Sequence, residues 1–229
     1  MTDSSQCTHT THRSCISIVP IFNHLSTDEM NEIVQTTHSA SHAKGQTIYS
    51  AGEASDGLYI VHKGRVKIYR LSESGKEQLV RILNPGDFTG ELSLFNEETH
   101  NAYAEAIEPV ELCVMNRNTF QQFLVKYPAI SLKVLKEFST RLAQTERQAA
   151  SIALEPTDTR VALYLAELVE EANHDEINLP MSRKDIASHL GTTPETISRR
   201  LTEFEDAGWI RQLTQKKIKV LDLDALLLT

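Results

Sequence analysis

The stretch from Ser182 to Ile210, SRKDIASHLGTTPETISRRLTEFEDAGWI, constrains the fold of this chain more than any other segment. It opens with a serine, a residue type that caps helix N-termini, and its first half ends at Gly191, which stops a helix. Ile186, Ala187 and Leu190 fall on one face of the intervening residues. The first half therefore predicts a short amphipathic helix that ends in a tight turn.

A second helix follows directly. Thr193 is its predicted cap, and Pro194 occupies the first helical position, where the missing N–H costs nothing. Burial of Ile197, Leu201 and Phe204 turns the opposite face toward solvent. Two short helices joined by a glycine turn indicate a helix-turn-helix, and the alternative is a helical hairpin in an unrelated core.

The residue types on the exposed face suit the major groove of DNA. Arginine reads guanine O6 and N7, glutamate accepts from the cytosine amino group, and serine reaches a base or a phosphate. Two strands, Trp209–Leu213 and Lys216–Leu221, are then predicted with lysines on the second, including Lys219, as a basic wing suited to phosphates. The predicted DNA-contacting residues are Thr193, Glu195, Ser198, Arg199, Arg200, Lys216 and Lys217, with Thr202 on the same face.

The distribution of charge supports a local basic surface. The 229 residues carry a net charge of −8, which argues against indiscriminate nucleic-acid binding. Between Ser182 and Lys219, eight Lys or Arg against five Asp or Glu give +3. No apolar run approaches the roughly 18 residues that span a bilayer, and no signal-peptide core is present, so a cytoplasmic protein without membrane contact is expected.

Upstream, the pattern changes from helix to strand and back. Ser26 is a predicted cap for a helix over Thr27–Gln35. Short runs with period-two alternation between Ala43 and Asn116, separated by glycine turns, predict a β-barrel or double-sheet jelly roll. The predicted strands are Thr47–Tyr49, Leu58–His62, Val66–Leu71, Gln78–Leu83, Asn101–Ala106 and Val110–Met115, and further helices are predicted over Gly90–Phe95, Asn118–Tyr127, Pro128–Leu154 and Thr159–Asn173.

The long helix over Pro128–Leu154 carries the apolar spacing of a dimer interface. Its steps of 3, 4, 3, 4 and 3 residues match the a/d seam of a two-stranded coiled coil and favour a parallel homodimer. The alternative is an amphipathic helix that packs on its own barrel. The predicted seam residues are Leu135, Phe138, Leu142, Thr145, Ala149 and Ile152.

The segments GDFTGELSLF and TTPETISRRL, in this order around a long helix, resemble the superfamily of the cyclic-AMP receptor protein and the fumarate-nitrate reduction regulator (CRP/FNR), nearest to the FNR-like (Flp) subgroup of Gram-positive bacteria. The resemblance covers residues 16 to 225. It implies an α+β fold and a dimeric transcription activator that contacts RNA polymerase. The predicted domains are an N-terminal arm (1–15), a cyclic-nucleotide-binding-like β-roll or jelly roll (16–127), a dimerisation helix (128–154) and a winged helix-turn-helix (155–229).

The resemblance also carries over individual residues. Glu195 and Arg199 match a pair common to both branches of the superfamily, and Ser198 completes the E-x-x-S-R pattern of the FNR branch. Pro194 stands where the CRP branch has arginine. A palindromic site with FNR-type TTGAT half-sites is therefore expected.

A cyclic nucleotide is not expected as the effector. In CRP-type members an arginine that pairs with the cyclic phosphate follows the GEL segment at a fixed distance. In this sequence Asn101 and Ala102 stand at that distance from Gly90. Glu91, which resembles the ribose ligand, remains. A buried phosphate without a charged partner loses about 2 kcal/mol or more. Glu91 is thus expected to be structural and to satisfy backbone N–H groups.

Three cysteines suggest that the protein senses redox state instead of a cyclic nucleotide. FNR-type regulators hold a [4Fe-4S] cluster through an N-terminal cysteine group and one distal cysteine, which Cys15 and Cys113 resemble. With Cys7, the chain has three thiols, so a cluster needs a fourth ligand. The possible further ligands are Asp3, His9 and His12.

Other interpretations of the same residues stay open. Cys7, His9, His12 and Cys15 could form a tetrahedral zinc site, an arm cysteine could form a redox disulfide with Cys113, or the cysteines could be inert. Two further alternatives do not use the cysteines. One is a regulator with a small-molecule pocket around Glu91 and Tyr103, and the other is a cupin-like enzyme, which is not expected because His62 and His100 form no ligand motif.

Overall fold

The computed structural model describes residues 16–55, 57–91 and 99–228, and its fold is of the α+β class. The helices are α1 Thr27–Gln35, α2 Arg117–Lys126, α3 Pro128–Leu154, α4 Thr157–Ala172, α5 Arg183–His189, α6 Pro194–Asp206 and α7 Leu223–Leu227. The strands are β1 Thr37–His42, β2 Thr47–Tyr49, β3 Gly57–Lys63, β4 Val66–Leu71, β5 Glu77–Leu83, β6 Phe88–Thr89, β7 Tyr103–Ala106, β8 Val110–Asn116, β9 Glu176–Asn178, β10 Ile210–Gln212 and β11 Lys217–Val220. Of the predicted Gly90–Phe95 helix, only the first two residues are described.

The N-terminal half is a roll of two antiparallel four-stranded sheets, in the orders β1-β8-β3-β6 and β2-β7-β4-β5. Strand β8 is apolar on both faces, because Leu112 and Val114 belong to the core between the sheets while Cys113 and Met115 face the core under the helices. The sequence predicted six strands and missed β1 and β6. Strand β1 is a largely polar edge strand and β6 has two residues, so neither shows an apolar alternation.

Local capping signals in the sequence are confirmed. Ser26 Oγ accepts from the Glu29 backbone N–H, and the Glu29 carboxylate accepts from the Ser26 backbone N–H at 2.7 Å, which is a capping box at the start of α1. Ser182 and Thr193 cap α5 and α6, with Pro194 as the first residue of α6. Gly191 adopts φ +66°, a conformation that favours glycine at the turn between these helices.

The chain divides within α3, after Thr140, into two compact units. In the first unit, Ile130 and Val134 of α3 are buried in the core beneath the first sheet. The second unit has its own core, to which Ile197, Leu201 and Phe204 of α6 contribute as predicted. The sheet of the wing has a third strand, β9. The sequence did not predict it, because its three residues show no recognisable apolar alternation.

The described residues contain no helix with the length and apolar character that crossing a bilayer requires.

Candidate functional site

The polar face of α6 is directed away from the core of the second unit. Glu195, Arg199 and Thr202 are exposed on it. The pKa of Glu195 lies below its usual range because its carboxylate accepts hydrogen bonds from its own backbone N–H and from the Thr193 hydroxyl. At neutral pH this carboxylate is ionised and acts only as an acceptor.

The two neighbouring arginines of α6 differ in their exposure and in how closely they pair with Glu203. The Arg200 side chain is 28% exposed and donates to Glu203 Oε2 at 2.5 Å. The Arg199 side chain is 63% exposed, with Nε 3.9 Å from Glu203 Oε1. An exposed ion pair at that distance contributes little, so Arg199 can leave Glu203 for a ligand at small cost.

A chain of polar contacts that sequence reasoning missed holds Ser198. Arg183 Nη1, at the start of α5, donates to Ser198 Oγ at 3.2 Å, and Nη2 donates to Gln212 Oε1 at 2.7 Å. Gln212 in turn donates from its backbone N–H and its side-chain amide to Glu205, at 2.7 and 2.9 Å. The partners are 15 and 29 residues from Arg183, so no local spacing signals them.

The wing lysines are not equivalent. Lys216, at the turn between β10 and β11, and Lys219 are exposed. Lys217 forms an ion pair with Glu176 of β9, which lowers the pKa of Glu176. Lys216 and Lys219 are therefore better placed than Lys217 to bind a phosphate.

The C-terminal turns of α3 contact the helix-turn-helix directly. Gln148 Nε2 donates to the His189 carbonyl at 2.9 Å and lies 3.1 Å from His189 Nδ1. Burial lowers the pKa of His189, so its ring is neutral at pH 7. The buried Arg160 donates to the Ile152 carbonyl at 3.0 Å, and a Cβ on Gly191 would lie 3.4 Å from Ile152 Cγ2.

The predicted seam residues of α3 lie in different surroundings. The Leu135 and Leu142 side chains are exposed at 62% and 60%. Phe138 packs against the core of the first unit, whereas Ile152 lies next to the helix-turn-helix turn. Thr145 and Ala149 are exposed.

The predicted redox residues are described only in part. Cys113 is 1% exposed and belongs to the same core as Ile16, which directly follows Cys15 in the sequence. Among the residues that the structure describes, no group of three or more His, Cys, Asp or Glu side chains could hold a metal ion. The predicted ligands Asp3, Cys7, His9, His12 and Cys15 lie outside the described residues.

A cavity of about 140 Å³ lies in the roll, at the position of the predicted effector pocket. Arg81 Nη2 donates to Glu91 Oε1 at 2.9 Å inside it, an ionic partner that the sequence did not predict for this carboxylate. The Arg81 Nε atom is buried and has no hydrogen-bond partner among the described residues. The lining residues are Tyr49, Ile68, Arg70, Val80, Arg81, Thr89, Gly90, Glu91, Thr99, His100, Asn101 and Ala102.

The expectation that Tyr103 shares this pocket is wrong. Successive residues of a strand face opposite sides of the sheet, and Ala104 and Ala106 of β7 belong to the core between the sheets, so Tyr103 faces the other side. Its ring stacks on Tyr69, with the ring centroids 5.3 Å apart.

Comparison with known proteins matches both halves of the chain. The cyclic nucleotide-binding domain family matches residues 40–127, and the Crp-like helix-turn-helix domain family matches residues 159–228. A Flp-type transcriptional regulator of Lacticaseibacillus casei is 34% identical over 92% of this chain and 95% of its own length. A CRP-like cAMP-activated global transcriptional regulator of Mycobacterium tuberculosis is 31% identical over 80% of this chain and 84% of its own.

The architecture leads to the same family. The solved structure of FixK2 from Bradyrhizobium japonicum superposes with a TM-score of 0.73 at 27% identity, covering 83% of this chain and 95% of that one. The relatives are transcription regulators, a class without enzymatic activity, and regulators of this family bind DNA as dimers. The chain described here belongs to the CRP/FNR family of DNA-binding transcription regulators.

Proposed function

We propose that two copies of this chain bind a palindromic, FNR-type DNA site and that the oxidation state of its cysteines controls this binding. The observation that carries the proposal is the exposed face of α6, where an ionised Glu195 and a loosely held Arg199 lie one turn apart. Arg199 suits the O6 and N7 atoms of guanine, and Glu195 suits the amino group of cytosine. As an activator, the protein would also contact RNA polymerase.

The exposed leucines of α3 support the homodimer. Leu135 and Leu142 lie seven residues apart on one side of the helix, and both side chains are exposed. A second copy would bury them along a two-fold axis. Two recognition helices related in this way reach half-sites about one helical turn, 34–36 Å, apart.

Lys216→Ala is expected to weaken binding to all DNA sequences by a similar factor. The exposed ammonium at the wing turn would neutralise one phosphate per subunit, so its loss lowers the salt dependence of log K by about 1 per wing. Fluorescence anisotropy between 50 and 200 mM salt measures this, a range set by how steeply such binding falls. Lys44→Ala, which removes an exposed charge from the β1–β2 turn, serves as the matched control. A base-dependent loss for Lys216→Ala would contradict the phosphate assignment.

The redox part of the proposal rests on the placement of Cys113. Its side chain is buried in the core that also contains Ile16, the residue that follows Cys15 in the sequence. A cluster would be held by Cys7, Cys15, Cys113 and one of Asp3, His9 or His12, and would supply an oxygen-labile redox centre. Without a cluster, zinc on the arm or a disulfide between an arm cysteine and Cys113 would use the same thiols.

We expect reduced and oxidised protein to differ in DNA affinity by about 5- to 150-fold, the usual range for coupled sites. Anaerobic purification with a visible spectrum and iron, sulfide and zinc analysis distinguishes the three forms. A brown protein bleached by air has a cluster, and a colourless protein that loses two thiols on oxidation has a disulfide. A Cys→Ser variant at all three positions is the control. If it responds to oxidant as the natural protein does, the redox proposal fails.

The roll cavity favours a second candidate, control by a small anionic ligand. Arg70 and the buried Nε of Arg81 offer positive charge and an unused donor, whereas Asn101 supplies no charge for a cyclic phosphate and Glu91 is already paired with Arg81. At about 140 Å³ the cavity is also smaller than the roughly 300 Å³ at which sites for drug-sized ligands begin. In this case the triple Cys→Ser variant would keep its switch, and Arg81→Gln would lose it.

A further inference from the structure

The donors and acceptors of the Ser198 contact chain can have only one arrangement. A carboxylate only accepts, so the Gln212 amide nitrogen must face Glu205 and its oxygen must face Arg183. A guanidinium only donates, so Ser198 Oγ must be the acceptor of the 3.2 Å bond from Arg183 Nη1. The chain runs from α6 through β10 and α5 back to α6. Ser198 and Glu205 lie seven residues apart, on the same side of α6.

This arrangement leaves the hydroxyl proton of Ser198 to point elsewhere. One lone pair of Oγ is taken by a charged donor, and such a donor strengthens the hydroxyl as a donor in turn. In the major groove the acceptors are N7 of purines, O6 of guanine and O4 of thymine, whereas cytosine presents an amino donor. Ser198 should therefore prefer a base edge that accepts.

Arg183 is placed for this role rather than for a phosphate. Both of its Nη atoms donate to side chains of the protein, and its Nε is buried without a hydrogen-bond partner among the described residues. These two bonds fix the plane of the guanidinium between Ser198 and Gln212. In contrast, Arg211 on β10 is exposed.

We propose that Arg183, held by Gln212 and Glu205, fixes Ser198 as a hydrogen-bond donor and thereby sets the base preference at one position of each half-site. These three are positioning residues, since none of them needs to touch DNA. The inference rests on the proposed reading of bases by α6.

The test uses the full-length protein and the tightest duplex that it selects from a random pool. Each half-site position is replaced symmetrically by the other three base pairs, and the affinities of wild type, Ser198→Ala, Arg183→Gln and the double variant are measured. Arg211→Gln is the matched control, because it removes one positive charge from the same unit. Thermal unfolding checks folding, and Gln212→Ala is a milder second variant that keeps the charge of Arg183.

We expect Ser198→Ala and Arg183→Gln to lose about tenfold discrimination at the same single position, and the double variant to lose no more than Ser198→Ala alone. Gln212→Ala should lose a smaller factor there, and Arg211→Gln should weaken all duplexes equally. The inference is overturned if Arg183→Gln weakens every duplex by one factor and keeps the base preference. It is also overturned if Ser198→Ala leaves the base preference unchanged. The proposed function fails as well only if Arg199→Ala also leaves the base preference unchanged.

Discussion

Replacing Leu135 and Leu142 by glutamate together is expected to give a monomer that binds the palindromic duplex about 10²- to 10⁴-fold more weakly. Both leucines are exposed in the single chain, so the change should leave its fold intact while placing like charges opposite each other in a dimer. A dimer binds its second half-site as an intramolecular event, and a monomer loses that gain. Sedimentation gives the mass and anisotropy gives the affinity.

Val125→Glu is the control for this variant. Val125 lies on α2 and is 83% exposed, so the substitution replaces another exposed apolar side chain by a negatively charged one. It should leave mass and affinity unchanged. A double-leucine variant that stays dimeric would show that the seam lies elsewhere on the chain.

The last turns of α3 contact the helix-turn-helix that contains the recognition helix α6. Gln148 binds the last residue of α5, and Arg160 binds the Ile152 carbonyl, within the same compact unit as α6. These contacts connect the last turns of α3 to the turn between α5 and α6.

The sequence predicted the helix-turn-helix well because its signals are local. Ser182, Thr193 and Gly191 mark helix ends within a few residues, and the apolar stripe of α6 repeats at helical spacing. The roll was predicted as a fold class, but its polar edge strand β1 was missed because an edge strand needs little apolar alternation.

The side-chain partners could not be predicted, because they depend on tertiary contacts. Glu91 pairs with Arg81 of β5, and Lys217 pairs with Glu176 of a strand that has no sequence signal. Tyr103 was misplaced because the alternate residues Ala104 and Ala106, rather than the tyrosine, face the inside of the roll. In each case the residue type pointed to a role, but the sequence did not predict the direction in which the side chain faces.

Arg199→Ala is expected to lower affinity for the selected duplex by about 1–3 kcal/mol and to relax the base preference at the position it reads. The reason is that a bidentate arginine contact to guanine is lost while the stripe that holds α6 in the core is untouched. Arg200→Ala is the matched control, because it removes the same charge from the next residue, which is half-buried and paired with Glu203. Its loss should be the same on every duplex.

The most direct test of base reading by α6 is the ratio of affinities for the selected and a random duplex, measured at one salt concentration for wild type and Arg199→Ala. The ratio is expected to fall by about 5- to 150-fold in Arg199→Ala, which corresponds to about 1–3 kcal/mol, and to stay at the wild-type value in Arg200→Ala. An equal loss of affinity on both duplexes for Arg199→Ala would contradict it.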